Sequence, residues 1–250
     1  MNRRDFLKLA GLGAGALIAP RIAKAQMEND DMTIQIDSFS GGFYNSATDV
    51  FEWDSSVSAT LHYPGVVVGV SIFGAASVVS VEIFQDGTPS QYLTFVRRDS
   101  NADVHSEVWY LPNLAISGEV TFIVNLSAAV DSVAGACVYN YFGGIGTHEG
   151  GTGTSTPLAE VTVNHGVNSI VFGSFSINMT TDPGVVDQNE RWNTPTGSGS
   201  HGVGADYGPS DSGSYIMTFQ TSGTVAWAMS VVELLDYQSN PPAVMMGSGF

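Results

Sequence analysis

Residues 66–73 read Val66-Val67-Val68-Gly69-Val70-Ser71-Ile72-Phe73, a run rich in β-branched side chains, without charge and without helical spacing. β-Branched residues lose rotamer freedom in a helix and pack well on a pleated surface. A continuous apolar run of this length predicts a strand buried on both faces. Such a strand needs a layer above it and a layer below. Working outward, Thr33-Ile34-Gln35-Ile36-Asp37, Val78-Val79-Ser80-Val81-Glu82-Ile83-Phe84 and Val120-Thr121-Phe122-Ile123-Val124 alternate or run apolar and stop at turn signals. Asp86-Gly87 and Ser117-Gly118 are such turn dipeptides. The pattern predicts roughly twelve to fourteen short strands, which suits two packed sheets. The expected fold is all-β: a two-sheet antiparallel β-sandwich in one domain spanning 26–237, with 238–250 as a flexible C-terminal tail. The glycine-rich stretches 143–157 and 197–213 are expected to be surface loops.

The N-terminus reads as an address. Asn2-Arg3-Arg4-Asp5-Phe6-Leu7-Lys8 carries the twin-arginine pattern, followed by an apolar run from Leu9 to Ala19 diluted by Gly11, Gly13 and Gly15. That run is too short to span a bilayer as a stable helix. Ala23-Lys24-Ala25 supplies a small-x-small cleavage site. Residues 1–25 are therefore expected to be a twin-arginine signal peptide, and the processed chain to be periplasmic or extracellular with no membrane span.

Cleavage would remove five of the eight basic residues and one of the 24 acids, leaving Arg97, Arg98 and Arg191, no lysine, and a formal charge of −20. Such a surface repels phosphate backbones, which excludes nucleic acid as a partner. The single cysteine, Cys137, excludes an intramolecular disulfide and sits in an apolar strand pattern where a small buried residue fits.

Several motifs occur in a familiar order. Val67-Val68-Gly69-Val70-Ser71, Val108-Trp109-Tyr110-Leu111-Pro112-Asn113, Glu119-Val120-Thr121-Phe122-Ile123-Val124, Gly135 to Tyr141, Arg191-Trp192 and Trp227-Ala228-Met229-Ser230-Val231-Val232 follow one another, with Val50-Phe51-Glu52-Trp53 upstream. In this order the chain resembles a β-sandwich domain of secreted bacterial proteins related in shape to LamG-like jelly rolls, over roughly residues 34–235. Tyr63-Pro64-Gly65 and Phe84-Gln85-Asp86-Gly87 depart from that family's usual segments. The resemblance implies a surface or extracellular module and carries over no catalytic residue.

Candidate chemistry is sparse. Asp99-Ser100-Asn101-Ala102-Asp103 spaces oxygen ligands two residues apart, as calcium loops do. Asp99, Asn101, Asp103 and Glu107 are the candidate calcium ligands, although Val104 replaces the turn glycine of an EF-hand and Tyr110 stands where its bidentate glutamate belongs. The alternative is an ordinary polar turn. The five histidines lack zinc spacing, and no Gly-x-Ser-x-Gly exists. Trp192, beside a polar stretch, is the candidate glycan-stacking ring, and Arg191 a candidate ligand cation, with pairing to a nearby acid as its alternative.

The function expected is that of an exported, non-enzymatic structural, adhesive or matrix β-sandwich requiring no cofactor. Its partners would be other surface or matrix proteins, or itself by edge pairing, with segment 26–38 as a donor strand. A lectin-like glycan-binding module, calcium-dependent or not, is the alternative, and a glycan-active enzyme a third reading.

Overall fold

The computed structural model describes residues 33–154 and 157–238. The expected signal peptide and cleavage site, the start of the expected donor segment and nearly all of the expected tail lie outside these residues. Those described form antiparallel strands and no helix, so the all-β sandwich expected from the periodicity is the fold.

The strands are β1 (Gln35–Val57), β2 (Gly65–Phe73), β3 (Val78–Phe84), β4 (Gln91–Tyr92), β5 (Thr94–Asn101), β6 (Val104–Leu111), β7 (Gly118–Asn140), β8 (Phe142–Gly153), β9 (Leu158–His165), β10 (Ser169–Ile177), β11 (Val185–Val186), β12 (Asn189–Pro195), β13 (His201–Ser210), β14 (Gly213–Gln220) and β15 (Trp227–Asp236). The first sheet runs β4-β3-β7-β2-β6-β5 with β1 along β7, the second β12-β13-β10-β15-β8, and the third β11-β14-β9. The first two make the central sandwich, and the small third sheet covers the outer face of the second.

β1 and β7, each 23 residues long, pair along their whole length. Register shifts between Ser40 and Phe43, Asn45 and Thr48, and Thr48 and Val50 break the ladder. Extra residues on one strand bend the pair, and here the ribbon folds back on itself. Trp53, Phe122 and Val124 from one arm then share an interior with Val66, Val68, Val70, Ala136 and Val138 from the other side of the same sheet. The first sheet is accordingly nearly closed and barrel-like.

β2 is buried from Gly65 through Ile72, as its sequence predicts. Val66, Val68, Val70 and Ile72 face the barrel interior, while Val67 packs with Phe172, Trp192 and Val232 of the second sheet. A third cluster, including Phe175, Met229, Val231, Met217 and Phe219, fills the space between the second and third sheets.

One patch of the seam between the first two sheets is made of serines, beside the apolar contacts of Val67, Phe172, Trp192 and Val232. Ser71 donates to the Phe175 carbonyl (3.1 Å), Ser106 to that of Ser174 (2.7 Å) and Ser176 to that of His105 (2.7 Å). Hydroxyls bonded to backbone carbonyls let two strand faces approach with most of their buried polar groups paired, the Ser174 hydroxyl being an exception.

Two expectations are corrected. Most of the two glycine-rich stretches is strand rather than loop: 142–153 is β8, paired with β15, and 201–210 is β13, a central strand between β12 and β10, while 197–200 and 211–212 lie outside the strands. Their glycines make room for large side chains on neighbouring strands, which a composition reading mistakes for flexibility. The donor-strand expectation also changes, because Gln35, Ile36 and Ser38 pair with Asn140, Tyr139 and Val138 of the chain's own sheet.

Candidate functional site

The candidate calcium residues do not converge. β5 and β6 form a hairpin whose turn is Ala102-Asp103, with Ala102 in the left-handed region at φ 51°. Asp99 lies opposite Ser106 and Arg98 opposite Glu107, so Asp99 and Glu107 occupy opposite faces of the sheet. Asp99 points at the second sheet, accepting two hydrogen bonds from Arg97 (2.7 and 3.0 Å) and one from the Ser230 hydroxyl (2.8 Å). Glu107, 2% exposed, points into the barrel. It accepts from Arg98 (2.9 Å), the Trp109 indole (2.9 Å) and the Val78 amide (3.2 Å). Asn101 donates to the Gly153 carbonyl, and Asp103 is exposed on the turn. The alternation that made the spacing look like a ligand loop belongs to a strand and a hairpin turn. Among the described residues no group of three or more His, Cys, Asp or Glu could hold a metal ion.

The Arg191-Trp192 pair is structural as well. Trp192 is 4% exposed, so the glycan-stacking role is corrected: its indole lies against Gly135 and Gly204 in the central sandwich. Arg191 makes a two-pronged pair with Asp206 at 2.8 and 2.7 Å, the geometry that fits guanidinium to carboxylate. Its guanidinium carbon stands 5.5 Å from the Phe39 ring centre. Tyr139 and Asn189 also donate to Asp206, each at 3.2 Å. Burial works against the Arg191 charge, but the hydrogen bonds and negative charge of Asp206 outweigh it and raise the pKa above its ordinary value. The three arginines of the described residues are thus all paired internally.

Several other reactive groups are held in place. Burial pushes the Cys137 thiol up, away from the thiolate. Glu233, 4% exposed, accepts from the amides of Thr147 (3.0 Å) and Gly166 (2.6 Å) and links β15 to its neighbours. Ser210 Oγ lies 3.4 Å from His165 Nδ1, yet that nitrogen also faces the Gly166 carbonyl at 3.1 Å. A carbonyl only accepts, so Nδ1 carries the proton and cannot take one from Ser210. His148-Glu149 lies in β8 opposite Val232 and Val231, and His201 is buried against the Met179 carbonyl.

A groove missed by the sequence reading lies between the two arms of bent β1. Phe39, Ser40 and Phe43 line it from the first arm and Asp54, Ser55 and Ser56 from the second. Phe84, Gln85 and Asp86 at the end of β3 and Glu119, Val120 and Thr121 at the start of β7 complete it. Its volume is about 930 Å³, within the range of ligand-binding clefts. Ser38 donates to the Ser56 carbonyl (3.1 Å) and the Trp53 indole to Ser40 Oγ (2.9 Å), tying the arms together. Phe43 stacks on Trp53 at 5.5 Å, and Thr121 donates to Asp54 at 2.7 Å. Phe39 and Phe43 remain 49% and 39% exposed. The available signal was Phe39-Ser40-Gly41-Gly42-Phe43-Tyr44, aromatics around a glycine pair, but nothing local says that this segment meets 54–56.

Smaller depressions lie at Asp187–Asn189 with Tyr207–Pro209 (about 440 Å³) and at Tyr110, Asn113 and Phe142–Ile145 (about 240 Å³). In comparisons with known proteins, no family model and no curated sequence matches the chain.

Proposed function

We propose that the chain is an exported, non-enzymatic β-sandwich that works as an adhesive or structural module at the cell surface or in the extracellular matrix. The observation that carries this reading is the use made of the charged side chains. Arg97 and Asp99 join the first sheet to Ser230 of the second, Arg98 and Glu107 fasten β5, β6 and the Ala76 loop, and Arg191 and Asp206 anchor β12 to β13. Groups that would serve catalysis in another protein here tie layers together. Among the described residues what remains outward is acidic, includes an aromatic-lined groove, and fits recognition rather than turnover. The twin-arginine pattern supports the compartment. Burial of Trp192 removes the ring on which the lectin-like alternative rested.

Fractionation of the producing cells with an antibody to the chain tests both halves of the reading. The expected result is a species shortened at Ala25 outside the cytoplasm, and weaker attachment or clumping of cells that lack it. Full-length chain confined to the cytoplasm, or attachment unchanged on deletion, would overturn it.

A further inference from the structure

We propose that the groove between the arms of β1 docks an extended, lysine- or arginine-bearing segment of a partner protein. The inference deepens the adhesive reading and rests on it.

Three features select this occupant. First, Asp54, Asp86 and Glu119 line the groove and none of the described residues lining it is basic, so the bound group must bring positive charge. Second, the apolar part of the lining is phenylalanine. Phe39, Phe43 and Phe84 offer ring faces without a hydroxyl or indole N–H, which suits the alkyl stems and cationic ends of lysine and arginine better than the hydroxyls of a neutral sugar. The Phe39 ring already has a guanidinium carbon 5.5 Å from its centre, that of Arg191. Third, the Phe43 ring is set before binding. Phe43 is stacked on Trp53, which Ser40 holds by a hydrogen bond, and a pre-set site binds at lower entropic cost.

The partner is not a second copy of the processed chain. From residue 26 onward the sequence has no lysine, and its three arginines are committed to Asp99, Glu107 and Asp206.

The test uses the purified processed chain, residues 26–250, and three fluorescent probes: a lysine–serine decapeptide, its glutamate–serine counterpart and a neutral N-acetylglucosamine hexamer. Fluorescence anisotropy is read at low salt and at about 1 M, where the screening length is about 3 Å. The lysine peptide is expected to bind and to weaken about tenfold or more in high salt. A similar loss is expected in Asp54→Asn/Glu119→Gln and in Phe39→Ala, and none in Asp211→Asn. Lysine-peptide binding no tighter than that of the glutamate peptide overturns the proposal, as does binding unchanged in the groove variants or the sugar binding in its place. The salt and probe comparisons use the native chain, so their failure overturns the proposal even where a variant misfolds, and the groove variants place the binding. Cell fractionation is independent of them, so the groove can fail while the surface reading stands.

Discussion

The Trp192 indole fills the space that a Cβ on Gly135 would need: that atom would sit 2.5 Å from the ring's Cδ2. Gly204 meets the same ring from β13, so a strand of each sheet gives up its side chain to accommodate one tryptophan. Gly135→Ala should therefore destabilise the fold by about 1–3 kcal/mol through overpacking. Urea unfolding should show a smaller penalty when Trp192→Leu is already present. Equal penalties in both backgrounds would mean that the contact does not govern packing there.

Asp206 is 1% exposed and holds Arg191 with both oxygens. Removing one member of a buried ion pair leaves an uncompensated charge, so Asp206→Ala should cost about 3–5 kcal/mol. Exposed Asp211→Asn should stay within about 0.5 kcal/mol. Melting curves of the two variants compare them directly.

Calcium should not stabilise the β5–β6 hairpin. Asp99 and Glu107 face opposite ways and each is already bonded to an arginine. Melting temperature is expected to be the same with calcium and with chelator. A saturable rise in calcium that disappears in Asp99→Asn would contradict this placement.

His105 gives an acid-sensitive contribution. Burial, and then the charge of Arg98, hold its pKa below the ordinary 6.5. Its Nε2 donates to the Gly74 carbonyl (3.0 Å), leaving Nδ1 buried without a partner. The folded state favours the neutral ring, so its contribution is complete above pH 6.5 and is lost as pH falls through the lowered folded value. His105→Gln should flatten that part of the stability–pH curve.

Glu107 works in the opposite sense. Burial raises its pKa above 4.5 despite the Trp109, Val78 and Arg98 hydrogen bonds. Its contribution is greatest below pH 4.5 and is lost as pH rises through the folded value. Glu107→Gln should remove that fall in urea titrations taken across this range.

Within each strand, the run of side chains was enough to read the local structure. Val66–Phe73 announces double-sided burial by having no polar face, and Cys137 announces its place by lying among small apolar residues. These readings succeed because a strand repeats every two residues, so facing direction is a local property.

Relations between strands were not legible. Glycines in 142–153 and 201–210 resemble loop composition until the indoles and carboxylates that lie on them are known. Trp192 follows a polar stretch but is covered by β-strands distant in sequence. Asp99 and Glu107 look like one ligand set until the hairpin register assigns them to different faces.

Sequence alone determined that the chain would be built of strands, which segments would be most deeply buried, and that its surface would be strongly acidic, because periodicity and composition are carried by the chain itself. Tertiary structure decided the third sheet, the pairing of each arginine and the groove at β1, because these depend on register, bulges and the approach of residues far apart in sequence.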